Sequence, residues 1–120
     1  GPDHWRMARA ISQAGVIYSD LGEHRRAERL FRQAVEIARQ QLGPGHPDVA
    51  LYLNNQAVQL TALGEFDRAE EALRYSLSVF LQQETRNQSK IGLVLQSMAE
   101  LRMAKMEFGE AIQLADSPWR

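Results

Sequence analysis

Apolar and small residues recur along this chain at three- and four-residue spacing, the signature of one buried helix face. Trp5–Leu21 shows it at Met7, Ala8, Ile11, Ala14, Gly15, Tyr18 and Leu21. Gly22 follows, where a glycine commonly ends a helix. A second helix is expected over about Arg25–Gln41, with Ala27, Leu30, Phe31, Ala34, Ile37 and Ala38 on its stripe. Two more are expected over Asp48–Leu63, through Val49, Leu53, Ala57, Leu60 and Leu63, and over Phe66–Gln83, through Ala69, Leu73, Leu77 and Phe80. Between the pairs lies Leu42–Ala50, whose two glycines and two prolines exclude a helical centre.

The pattern repeats at a fixed interval. Gly15, Ala57 and Ala99 are 42 residues apart, as are Ala27, Ala69 and Ala111. Leu21-Gly22 returns as Leu63-Gly64, Ala34 as Ser76, and Phe66 as Phe108. The loop residues Gly43-Pro44-Gly45-His46 and Ala50 echo Gly1-Pro2-Asp3-His4 and Ala8. Small residues at matching places let helix backbones approach closely. A third unit departs from the rule. Its linker, Glu84–Lys90, offers Thr85, Asn87 and Ser89 as polar caps. Its first helix is expected over about Ser89–Met106, and a short closing helix near Phe108–Ala115. Met106 stands where the other units have a turn glycine, so a differently shaped turn is expected there.

In their combination these residues resemble the tetratricopeptide repeat (TPR) family. Unit one matches as Gly15, Tyr18, Gly22, Ala27, Phe31 and Ala34, and unit two as Ala57, Leu60, Gly64, Ala69, Leu73 and Ser76. Unit three matches more weakly, with Arg102 in the aromatic place and Pro118 in the last. The interval of 42 exceeds the usual ~34 and lies in the range of HEAT and armadillo repeats. The small-aromatic-Gly-Ala spacing favours the TPR, in a form like that of kinesin light chains, although Gln56 occupies a position where that form prefers leucine. The resemblance implies an all-α fold, a right-handed α-α superhelix of about two and a half helix hairpins. The expected units are repeat 1 at about 1–42, repeat 2 at about 43–84 and a partial repeat 3 at about 85–117, together one domain cut from a longer array.

Composition narrows the function. A net charge of −1 provides no field for nucleic acid or an anionic membrane. No apolar run is long enough to span a bilayer. The absence of cysteine removes disulfide and thiolate chemistry and fits a reducing compartment; a cytoplasmic location is expected. His4 and His46 share one repeat position, which points to a capping role rather than a metal site, and His24 reads as solvated. Glu23, Glu28, Glu70 and Glu71 read as members of surface ion pairs. With no nucleophile constellation or phosphate loop, neither catalysis nor a cofactor or metal is expected.

The resemblance places the first helix of each pair on a concave face. The expected groove residues are Arg9, Ser12, Gln13 and Val16 from unit one, Asn54, Asn55, Val58 and Thr61 from unit two, and Gln96, Glu100 and Met103 from unit three. Amide side chains can bond an extended peptide backbone, and Val58, Leu93 and Met103 can receive apolar side chains. Asn54 and Asn55 read equally well as packing residues. A clamp for a diacid chaperone tail would need basic residues where Leu93 and Ser97 stand. The expected function is a protein-interaction module with a protein or peptide ligand. The alternative is a scaffold segment that self-associates through exposed repeat ends, in an array regulating an attached effector.

Overall fold

A computed structural model describes residues 4–83 and 88–117. Among them are five α-helices and no strands: α1 (His4–Asp20), α2 (His24–Leu42), α3 (Pro47–Ala62), α4 (Phe66–Gln82) and α5 (Gln88–Ala115). Each helix packs on the next, and α5 also rests on α3. The outcome is two antiparallel hairpins and one further helix in an elongated stack of 61 × 29 × 19 Å. The expected linker caps Thr85 and Asn87, the opening Gly1-Pro2-Asp3 and Pro118 lie outside the described residues.

The turns inside the hairpins are alike because their glycines are. Gly22 and Gly64 both have φ of +77°, a region open to residues without a Cβ. Each carries the same pair of closing bonds: Glu23 N–H donates to Tyr18 O and Gly22 N–H to Ser19 O, as Glu65 does to Leu60 O and Gly64 to Thr61 O. At the corresponding place in the third unit the side chain of Met106 disfavours that geometry, and helical hydrogen bonding simply continues. The expected break near Phe108 is therefore absent. One 28-residue helix replaces a helix and a short closing helix.

Between hairpins, His46 begins α3. Its Nδ1 accepts from the Asp48 N–H at 3.0 Å, and Pro47 fills the first helical position, where no donor is needed. Crossing points are made of small residues: Ala8, Ala27, Ala34, Ala38, Ala50, Ala57 and Ala69 are all but inaccessible, with Phe31, Leu60 and Leu73 filling the space between them. Ser76 stands where unit one has Ala34, and its hydroxyl donates to Ala50 O at 2.7 Å, tying α4 to the start of α3.

The joint between units is more polar than the sequence indicates. Glu28, read from the sequence as a surface residue, is only 1% exposed. It accepts from Gln56 Nε2 at 2.9 Å, and Arg32 and Arg68 lie 3.6 and 3.7 Å from its carboxylate. Gln56 thus replaces an apolar residue because a buried carboxylate opposite it needs a donor. A second chain of bonds runs alongside. Gln59 Nε2 donates to Ser19 Oγ at 2.9 Å, and its Oε1 accepts from His24 Nδ1 at 2.8 Å. His24, expected to be solvated, is half-buried here.

Candidate interaction surface

Helices α1, α3 and α5 carry the expected groove residues, the inner row of the sequence reading. Ser19 on α1 meets Gln59 on α3, and α5 lies against α3 on the other side. The expected groove residues separate into two groups. Arg9, Gln13, Val16, Val58, Glu100 and Met103 are exposed and Asn55 is half-buried. Ser12 and Asn54 are buried instead. Both fall one position away from the open face, where neighbouring helices close over them. For Asn54 this favours the packing reading, and its Oδ1 has no hydrogen-bond partner among the described residues. Thr61 is half-buried and its hydroxyl donates to Ala57 O within its own helix at 2.9 Å. Gln96 is exposed and donates to Glu100 at 3.3 Å, so these two engage each other on α5.

Val16 and Val58 occupy the same repeat position and are both exposed, at 45% and 37%. On α5, Leu93 and Met103 are further exposed apolar residues. Polar residues on the same helices are also accessible: Arg9 and Gln13 on α1, Asn55 on α3 and Glu100 on α5.

Sequence reasoning did not single out Tyr52, which is buried on α3 beside this row. Burial pushes its phenol above the ordinary tyrosine value, the Asp48 carboxylate adds to the rise, and the Arg9 guanidinium opposes it. A raised folded-state value means that the contribution of the neutral phenol is whole below the unfolded pKa near 10 and is lost as pH climbs through the folded one. Urea midpoints should accordingly fall above about pH 10, and Tyr52→Phe should flatten that fall. An identical alkaline slope in the variant would assign the loss to other groups. The only signal for Tyr52 in the sequence is its place one residue before the Leu53 stripe.

Among the described residues there is no cluster of three or more potential metal-binding side chains, and no helix long and apolar enough to cross a membrane. Glu65 is held below the usual carboxylate range by hydrogen bonding from Arg25, 2.7 Å away, with Arg68 adding to the effect. That is the perturbation of an ion-paired group joining α2 to α4.

A family model described as tetratricopeptide repeat matches residues 6–82, well over half of the 120-residue chain. The chain belongs to the tetratricopeptide repeat family. The match spans α1 to α4, the two complete hairpins, and stops short of α5. Comparison with curated proteins gives no match. TPR hairpins generally serve as protein-interaction modules without catalysis. A TPR is a scaffold whose specificity lies in the exposed residues of its helices, so those residues decide what the surface can hold.

Proposed function

We propose that this TPR segment binds an extended peptide, or an extended stretch of a partner protein, along the inner row of α1, α3 and α5. The observation that carries the reading is the shared exposure of Val16 and Val58 at one repeat position, each three residues after an amide on its own helix, Gln13 and Asn55. Apolar side chains of a ligand can cover the valines while the two amides exchange hydrogen bonds with its backbone. Arg9 at one end and Glu100 at the other give the row opposite charges at its ends, which would set the direction in which a peptide lies. The buried Ser12 and Asn54 hold the backbone of the row instead of touching the ligand. Thr61 serves its own helix, and Gln96 keeps Glu100 in place.

Peptides selected from a random displayed library against the immobilised chain, then titrated by calorimetry, test this. Val58→Asp is expected to weaken recovered peptides about tenfold or more and Asn55→Ala by a few-fold, since an uncompensated charge in an apolar contact costs more than one lost hydrogen bond. Unchanged affinity in both variants would place the ligand on another surface.

A further inference from the structure

Helix α5 carries two apolar stripes, set roughly 100° apart around its axis. One side carries Val94 and Leu101, both buried, with Ile91 and Met98 partly buried against the core. The other carries Leu95, Ala99 and Met106, all exposed; Leu95 and Met106 are 50% and 61% accessible. A helix that only covers a core has one apolar stripe, and a second at the same spacing is a second contact face.

The chain itself contains the template for what covers such a face. On α3 the residues 42 positions before Leu95, Ala99 and Arg102 are Leu53, Ala57 and Leu60; all three are buried, and α4 runs antiparallel over them. In doing so α4 borders the groove between α2 and α3, where Arg68 lies 3.7 Å from Glu28. The next groove, between α4 and α5, is an open cavity of about 430 Å³. Its apolar lining includes Met98, Leu101 and Met106, and its charged lining includes Arg74, Arg102 and Lys105. Glu70 also lines it but is already engaged, 2.7 Å from Arg74 and 3.9 Å from Lys105. The groove is therefore positive overall. Arg102 stands where α1 has Tyr18 and α3 has the buried Leu60, so the middle of the contact face presents a guanidinium. Carboxylates are its best-matched partners. A second copy of the chain would be mismatched: antiparallel pairing of two α5 stripes gathers both Arg102 side chains within one helical turn of the two-fold axis.

We propose that the groove between α4 and α5 receives an amphipathic helix of a partner protein, antiparallel to α5, with a small residue over Ala99 and acidic side chains toward Arg102 and Arg74. This surface is separate from the inner row, and the two can be occupied independently.

A fluorescein-labelled peptide of residues 65–83 is a suitable probe, because it carries four carboxylates against two arginines and already has the register of a covering helix. Titrated with the unlabelled chain and followed by anisotropy, it should bind saturably with a Kd on the order of micromolar and weaken as salt rises. Arg102→Glu should reduce affinity about tenfold or more, and Ala99→Trp should remove binding by filling the crossing point. Both positions are exposed, so the helical circular dichroism and thermal midpoint of each variant should match the parent. A peptide with its four carboxylates changed to lysine should not bind, and Val58→Asp should leave binding unchanged. A flat titration with the acidic peptide, or binding indifferent to both Arg102→Glu and Ala99→Trp, would overturn the proposal. So would sedimentation showing that the chain pairs with itself through α5 and that Ala99→Trp abolishes the pairing, since a second copy would then be the occupant.

Discussion

Gln56→Leu is expected to destabilise the protein by about 2 kcal/mol, although it installs the apolar residue that the wider pattern favours at this position. The cause is Glu28. Its carboxylate is inaccessible and has one close hydrogen-bond donor, Gln56 Nε2 at 2.9 Å. The two arginines remain at more than 3.5 Å and are themselves about half exposed, so they cannot replace that bond without moving inward. A buried charge deprived of a partner costs far more than the partner's net contribution in the intact pair. Glu28→Leu combined with Gln56→Leu removes charge and donor together, and should recover most or all of the loss. Chemical denaturation of the two single variants and the double variant measures this, with the coupling read from the cycle. Additive losses would mean that the two side chains do not depend on each other.

Gly15→Ala should also destabilise, by about 1–2 kcal/mol, although alanine is the better helix former by about 1 kcal/mol. A Cβ at Gly15 would lie 2.9 Å from both Cε1 and Cζ of Phe31. The Phe31 ring is enclosed by the core and cannot swing clear without disturbing its neighbours. Unit two meets the same geometric demand with Ala57 and Leu73, a larger residue facing a smaller one. Gly15→Ala with Phe31→Leu copies that combination into unit one and should be more stable than the sum of the two single changes predicts. Thermal melts of the four proteins check it; a neutral Gly15→Ala would show that the first hairpin opens to admit a methyl group at no cost.

These two sites show what the sequence by itself determined. Helix periodicity, the turn glycines and the small residues every 42 positions depend on local geometry: a residue with a Cβ disfavours φ near +77°, and large side chains keep helix axes apart. Such constraints act within one helix or one turn, so the hairpins, their borders and their family follow from residue order. His46 as a cap with Pro47 behind it was legible for the same reason. Tertiary structure alone decided where polar groups went. Glu28 and Gln56 are 28 residues apart, and an arginine-rich helix surface gives no sign that one of its glutamates turns inward. It also decided which amides of the inner row stay open, because burial at Asn54 against partial exposure at Asn55 depends on how the neighbouring helices close over α3. The run through Met106 belongs to the same class. The missing glycine was visible, but not whether the chain would turn by other means or continue, since that balance sets the penalty of left-handed backbone in a residue with a side chain against the packing a closing helix would gain.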